Sequence, residues 1–256
     1  MLKKLISLSH LTFVSLSHKK IYYVGLTIGT LLTLLSLLLG PLGFNDEIRL
    51  AINFGLSGAQ VGAIFLAVLA GASLLKEELE SQAAFIFLSK DISRSTYLLA
   101  QFFGFAVSLS VTLLILSGFF FLTSFLTGLE WSFKVFIPFA GIFVESLVLF
   151  SFALFISLLT STLLTVGLSF CFFLITHWVS SLEFLLKLSP SEYVKTVGPI
   201  LLWILPNMEG LNWKSDLTYN EWDAASAYGA SLLYGLSWVV IFLVLAIVVF
   251  EEKDLT

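Results

Sequence analysis

The chain's 256 residues are 58% hydrophobic and only 12% charged, with a mean hydropathy of +1.01. A soluble domain carries roughly twice that charge fraction, so a water-soluble globular fold is excluded. Its 13 Lys and Arg are dispersed over a chain of net charge −4, which excludes a basic nucleic-acid-binding stripe, and the one cysteine, Cys171, excludes an intramolecular disulfide framework.

Residues 1–18 set Leu2, Leu5, Ile6, Leu11, Phe13 and Val14 among polar positions. That pattern predicts an amphipathic helix in the membrane interface, over residues 1–20, and not a cleavable signal peptide. Six runs then approach the ~20 apolar residues that cross a ~30 Å hydrocarbon core. They are 21–39, 55–75, 97–126, 136–159, 163–179 and 231–250. The third is long enough to tilt or project, and only Ser161 and its neighbours separate the fourth from the fifth, predicting a tight helical hairpin. The fold class expected is an all-α membrane protein with six transmembrane helices, forming a single domain over 1–256.

Gly25 and Gly29 in the first span, and Gly58, Gly62, Ala63, Ala67 and Gly71 in the second, place small residues at close spacing. Such faces let helix backbones approach, either within the chain or across a dimer seam. Glu145 is the ionisable residue deep in the fourth span. A charge there is costly, so it faces protein or water. It either lines a substrate path or gate, or is a carboxyl satisfied by neighbours such as Ser108, Ser110 or Thr112.

Between the second and third spans lies "EELESQAAFIFLSKDISRSTYLLAQFFG", residues 77–104. Leu79, Ala83, Ile86 and Phe87 share one helical face. Glu77, Glu78, Glu80 and Ser81 read as the first turns of a separate helix, where the N-terminal dipole favours carboxylates. Asp91 or Ser93 then caps the helix that follows. A short cytosolic helix of this kind suits docking into the groove of a soluble partner.

Residues 180–230 form the one sizeable region outside the spans. "LEFLLKL" and "VGPILLWILP" are too short to cross a bilayer and read as interfacial or re-entrant helices under a lid anchored by Trp203, Trp213 and Trp222. With both termini on the cytosolic side, that side holds Lys3, Lys4, Lys19, Lys20, Lys76, Lys90, Arg94 and Lys253. The outer side holds Arg49, Lys134, Lys187, Lys195 and Lys214. The bias favours both termini inside.

The segment 77–104 resembles one found in ABC-2-type transporter permeases. Glu78 and Glu80 match that family's two acids, and Leu88, Ser89, Lys90, Ile92, Ser93, Arg94 and Tyr97 match later positions. Gln82 and Ala83 stand where the family has Gly-Thr, Asp91 replaces a Pro, and Gln101 lies near the usual Lys. "ILPNMEGLNWKSDLTYN", residues 204–220, is similar to the segment before the family's last span, notably in its multicopper-enzyme-maturation and gliding-motility branch.

The resemblance implies a permease subunit of an ABC exporter in a bacterial cytoplasmic membrane, paired with a second permease as homodimer or heterodimer. Two cytosolic ATPase subunits would bind ATP and Mg, with no cofactor on this chain. It implies coupling to the ATPase through Glu78, Glu80, Leu88, Ser89, Lys90, Asp91, Ser93 and Arg94, and an outer gate that includes Pro206, Asn207 and Glu209. The absence of a G-x-x-x-x-G-K-[ST] loop agrees, since any phosphate cradle must then lie on another chain. The apolar spans suit a lipid-like or hydrophobic substrate. A non-transporting component that transmits force to a periplasmic partner would share the coupling segment.

An intramembrane protease is the enzymatic rival, with "EELESQ" and "FLITH" approaching E-E-x-x-x-R and F-x-x-x-H. Gln82 occupies the Arg position, and His10 and His18 lie in the N-terminal helix, far from His177 in sequence. Two acids and one His cannot supply both a metal or activated water and its orienting groups. His177 reads instead as an interfacial histidine beside Trp178. No G-x-S-x-G elbow occurs either.

Overall fold

The computed structural model describes residues 2–39, 46–81, 92–126, 133–188, 198, 202, 205–219, 222 and 224–253. The helices are α1 Leu2–His18, α2 Lys20–Leu39, α3 Glu47–Glu80, α4 Arg94–Leu126, α5 Phe136–Leu159, α6 Thr162–Leu188, α7 Lys214–Tyr219 and α8 Ala225–Glu252. Two 3-10 turns, Phe133–Val135 and Glu209–Leu211, precede α5 and α7. By length and composition, six helices can cross a membrane: α2, α3, α4, α5, α6 over Thr162–Phe184, and α8. The all-α membrane fold with six spans expected from the sequence is the one observed. The described residues contain no strand.

Helices α3 and α4 run for 34 and 33 residues, about 50 Å each at 1.5 Å per residue, well beyond a ~30 Å hydrocarbon core. The second span therefore extends past its expected limits of 55–75 at both ends. It continues through Glu80 because no Gly or Pro interrupts 72–81. Glu77, Glu78 and Glu80 consequently form the last turn of α3 rather than the start of a separate helix. There the dipole disfavours carboxylates, and local partners compensate. Lys19 pairs with Glu77 at 2.8 Å, and Tyr97 and Gln101 donate to Glu78.

A second correction concerns "LEFLLKL". It continues α6 to Leu188, since the first helix breaker after Gly167 is Pro190. Most of "VGPILLWILP", with Trp203, lies outside the described residues. The hairpin between α5 and α6 forms as expected. Thr160 leaves the helix in extended conformation, its hydroxyl meets that of Thr165 at 2.9 Å, and Lys76 donates to its carbonyl. Pro138 sits in the first turn of α5, where its missing N–H costs nothing.

The small residues pack within the chain. A Cβ on Gly62 would lie 2.6 Å from the Gly29 Cα, and one on Gly58 would lie 2.6 Å from the Thr33 nitrogen. Gly71 follows Gly62 by nine residues, half a rotation at 100° per residue. Its face meets α5, with the Ala153 Cβ at 2.6 Å. Helix α3 is thus held between α2 and α5 and is the most buried span. Stacked rings join the neighbouring layers: Phe105 on Phe150 at 3.9 Å and Phe152 on Phe172 at 4.0 Å. The N-terminal α1 lays Leu8, Thr12 and Leu16 against α4, and Gly104 gives Thr12 room, its own Cβ position lying 2.6 Å from the Thr12 Cβ.

Candidate functional site

Two ends of the bundle carry the sequence-predicted residues. At one end, polar side chains tie the spans together. Ser93 caps α4, its Oγ accepting from the Thr96 amide at 3.3 Å. Arg94 donates to the carbonyls of Phe250, Glu251 and Lys253 at 2.8, 3.0 and 2.7 Å. A guanidinium suits these terminal carbonyls of α8, which hold the negative end of its dipole. Lys253 in turn donates to the Leu158 carbonyl of α5 at 2.8 Å. Glu78, with Tyr97 and Gln101, fastens α3 to α4. Glu80 is exposed. Leu88, Ser89, Lys90 and Asp91 lie outside the described residues. Of the residues expected to couple to a partner, Glu78 and Arg94 therefore have their side chains engaged inside the bundle, where they weld α3, α4 and α8 into one unit.

At the other end, residues 205–213 enter the bundle as a plug. Pro206, Met208, Leu211 and Trp213 are buried. The Met208 amide donates to the Thr176 carbonyl of α6 at 3.2 Å, and the Asn207 amide to the Tyr234 hydroxyl of α8 at 3.0 Å. The Asn207 side chain donates to Ser180 Oγ at 3.1 Å and accepts from the Glu209 amide at 3.1 Å, folding the turn on itself. Trp213 donates its indole N–H to the Gly210 carbonyl at 2.8 Å. It is a core residue rather than the interfacial anchor expected of it.

The plug touches α5 at Gly141, where a Cβ would fall 2.2 Å from the Leu211 carbonyl oxygen. Backbone cannot yield as a side-chain tip can. Gly141→Ala is therefore expected to displace the plug at a cost of about 1–3 kcal/mol, read as faster amide hydrogen exchange over 205–213.

Beneath the plug, a polar chain crosses four elements. Glu145 of α5 is 1% exposed. Its Oε2 accepts from Gln60 Nε2 of α3 at 2.8 Å, and Gln60 Oε1 accepts from Lys214 Nζ, the first residue of α7, at 2.5 Å. Lys214 also donates to Ser57 Oγ at 3.3 Å. The His177 Nε2 of α6 lies 3.4 Å from Glu145 Oε1, within ion-pair distance but without a hydrogen bond. Burial lowers the Lys214 pKa, and the carboxylates of Glu145 and Glu209 oppose that shift.

The sequence singled out Glu145, but the partners it offered under one of its two readings are not the ones the structure gives. Ser108, Ser110 and Thr112 bond back to carbonyls of their own helix α4. His177 is turned inward beside Glu145, while its neighbour Trp178 is 67% exposed. The informative signal was Gln60, a carboxamide in the run 55–75, whose other residues are small or apolar. Among the described residues, no group of three or more His, Cys, Asp or Glu could hold a metal ion.

No curated protein matches the chain. The family model for ABC-2 family transporter proteins matches residues 51–255, from the body of α3 through the end of α8. The chain therefore belongs to the ABC-2 transporter family and is a membrane permease of an ABC transporter.

Proposed function

We propose that this permease couples ATP hydrolysis on a separate cytosolic subunit to export of a lipid-like or hydrophobic substrate. In this reading the ATPase, present in two copies with ATP and Mg bound, pushes on the segment 77–94, and a second permease subunit completes the pathway. Both termini lie in the cytosol of a bacterial cell, beneath the cytoplasmic membrane. The observation that carries the proposal is the welded end of the bundle. Arg94 and Glu78 join α3, α4 and α8 where the 81–93 segment leaves and returns, so displacement there moves three spans together. The same end holds Lys19, Lys76, Arg94 and Lys253, in keeping with a cytosolic location. An apolar cargo suits spans whose described charges lie at their ends, Glu145 and His177 excepted.

The test is the permease purified with its ATPase and reconstituted in vesicles. Arg94→Gln is expected to retain the ATPase while reducing ATP-driven movement of a fluorescent lipid by about tenfold, since hydrogen bonds to charged groups contribute ~1.5–3 kcal/mol. Full transport by the variant, or failure of the native chain to bind an ATPase, overturns the proposal. ATP-dependent plug movement without export of the lipid assigns the chain to force transmission onto a periplasmic partner instead.

A further inference from the structure

We propose that Glu145 and His177 form a proton-binding site, and that the proton taken up there competes with Lys214 for the Glu145 carboxylate and so loosens the plug over 205–213. The inference takes that plug to be the outer gate of the permease. Its basis is the arrangement of donors and acceptors. His177 Nδ1 lies 3.2 Å from the Phe173 carbonyl, to which an Nδ1–H donates. The neutral ring then presents the Nε2 lone pair to Glu145 Oε1, 3.4 Å away. Neither atom has a hydrogen-bond partner among the described residues. Two buried acceptors facing each other at that distance repel, and one proton between them turns the repulsion into a charge-assisted hydrogen bond.

A hydronium ion of the outer aqueous phase gives up one O–H bond, its proton forms the new N–H bond at the Nε2 lone pair, and water is left behind. The consequence for the plug follows from the charges. Before uptake, Glu145 and Lys214 sum to zero across the Gln60 carboxamide. After uptake, the imidazolium is the nearer cation, and Lys214 stays half-buried with its counter-charge shared. A buried charge without full compensation is unfavourable. Lys214 begins α7 and follows directly on Trp213, so its displacement draws the plug outward.

The other groups around the pair are accounted for. Among the described residues, Glu209 on the plug is the further charge that acts on the pair. Gln60 and Ser57 of α3 are neutral, and Tyr234 of α8 is bonded to the Asn207 amide. Asp216 accepts from Tyr228 at 2.7 Å on the far side of α7.

Amide hydrogen exchange over 205–219 tests this in the purified full chain in lipid nanodiscs. Rates at about pH 8 and about pH 5 are each normalised to an unstructured peptide at the same pH, spanning the ordinary histidine range. Protection of the Met208, Leu211 and Trp213 amides is expected to fall about tenfold on acidification. His177→Gln is expected to abolish that response, and Glu209→Gln to retain it. Glu145→Gln is expected to lower protection at both pH values and flatten the difference. A pH response unchanged in His177→Gln, or absent from the native chain, overturns the proposal. A merely structural histidine would change protection without changing its dependence on pH. The measurement needs neither ATPase nor substrate, so its failure is separable from failure of the transport reading.

Discussion

Glu145→Leu is expected to destabilise the chain by about 3–5 kcal/mol, the usual cost of removing one partner of a buried charge pair. Leucine fits the volume, so the loss is electrostatic. Gln60 Nε2 loses its acceptor at 2.8 Å, and Lys214, already bonded to Gln60 at 2.5 Å, keeps a half-buried charge for which, among the described residues, Glu209 is the remaining carboxylate that opposes the effect of burial. For a chain of this size that corresponds to a fall in thermal midpoint on the order of 10 °C, measured in detergent micelles. Adding Lys214→Met to Glu145→Leu is expected to recover most of the loss, because an apolar replacement of both charges is often neutral. Equal stability of the single and double variants would show that the two residues do not share a charge relation.

The second large effect is expected at the contact between α2 and α3. Gly62→Val places methyl groups where even a Cβ would meet the Gly29 Cα at 2.6 Å and the Gly25 carbonyl at 2.9 Å. Both obstacles are backbone, so no rotamer relieves them, and α2 must move away along its length. In lipid, no hydrophobic force restores the contact, because helix association there depends on close packing. The expected loss is ~3 kcal/mol, at the upper end of overpacking costs. Disulfide trapping between cysteines placed on α2 and α3 would report the separation. Gly118 and Gly167 supply the controls, since a Cβ at either meets nothing within 4 Å. Valine at those positions is expected to leave both trapping and thermal midpoint nearly unchanged.

These two cases differ in how much the primary structure revealed. The glycines at 25, 29, 58 and 62 were visible as a surface for close packing, but their partner was open between the same chain and another copy. Only the crossing of α2 on α3 decided it. Glu145 was visible as a costly charge, yet its partners were not. Gln60 lies 85 residues away, and Lys214 lies 154 residues from Gln60. The resemblance implied a coupling role for Arg94 and named no partner for it within the chain. In the structure it bonds carbonyls 156 to 159 residues away. Glu77, Glu78 and Glu80 were assigned to the wrong end of a helix, since a run of helix-forming residues does not mark where one helix ends and another begins.

Span number and membrane class followed from the amino-acid sequence alone. A bilayer core lets no backbone amide go unpaired, so each apolar run of sufficient length must close its hydrogen bonds within itself as a helix. That rule is local and leaves its mark in run length and composition. The pairing of Glu145 with Gln60 and Lys214, the seating of residues 205–213 on Gly141, and the capping of α8 by Arg94 were decided by tertiary structure. Each depends on which helix faces meet. Among apolar helices in lipid, that choice rests on shape fit and on a few polar contacts between residues far apart in the chain.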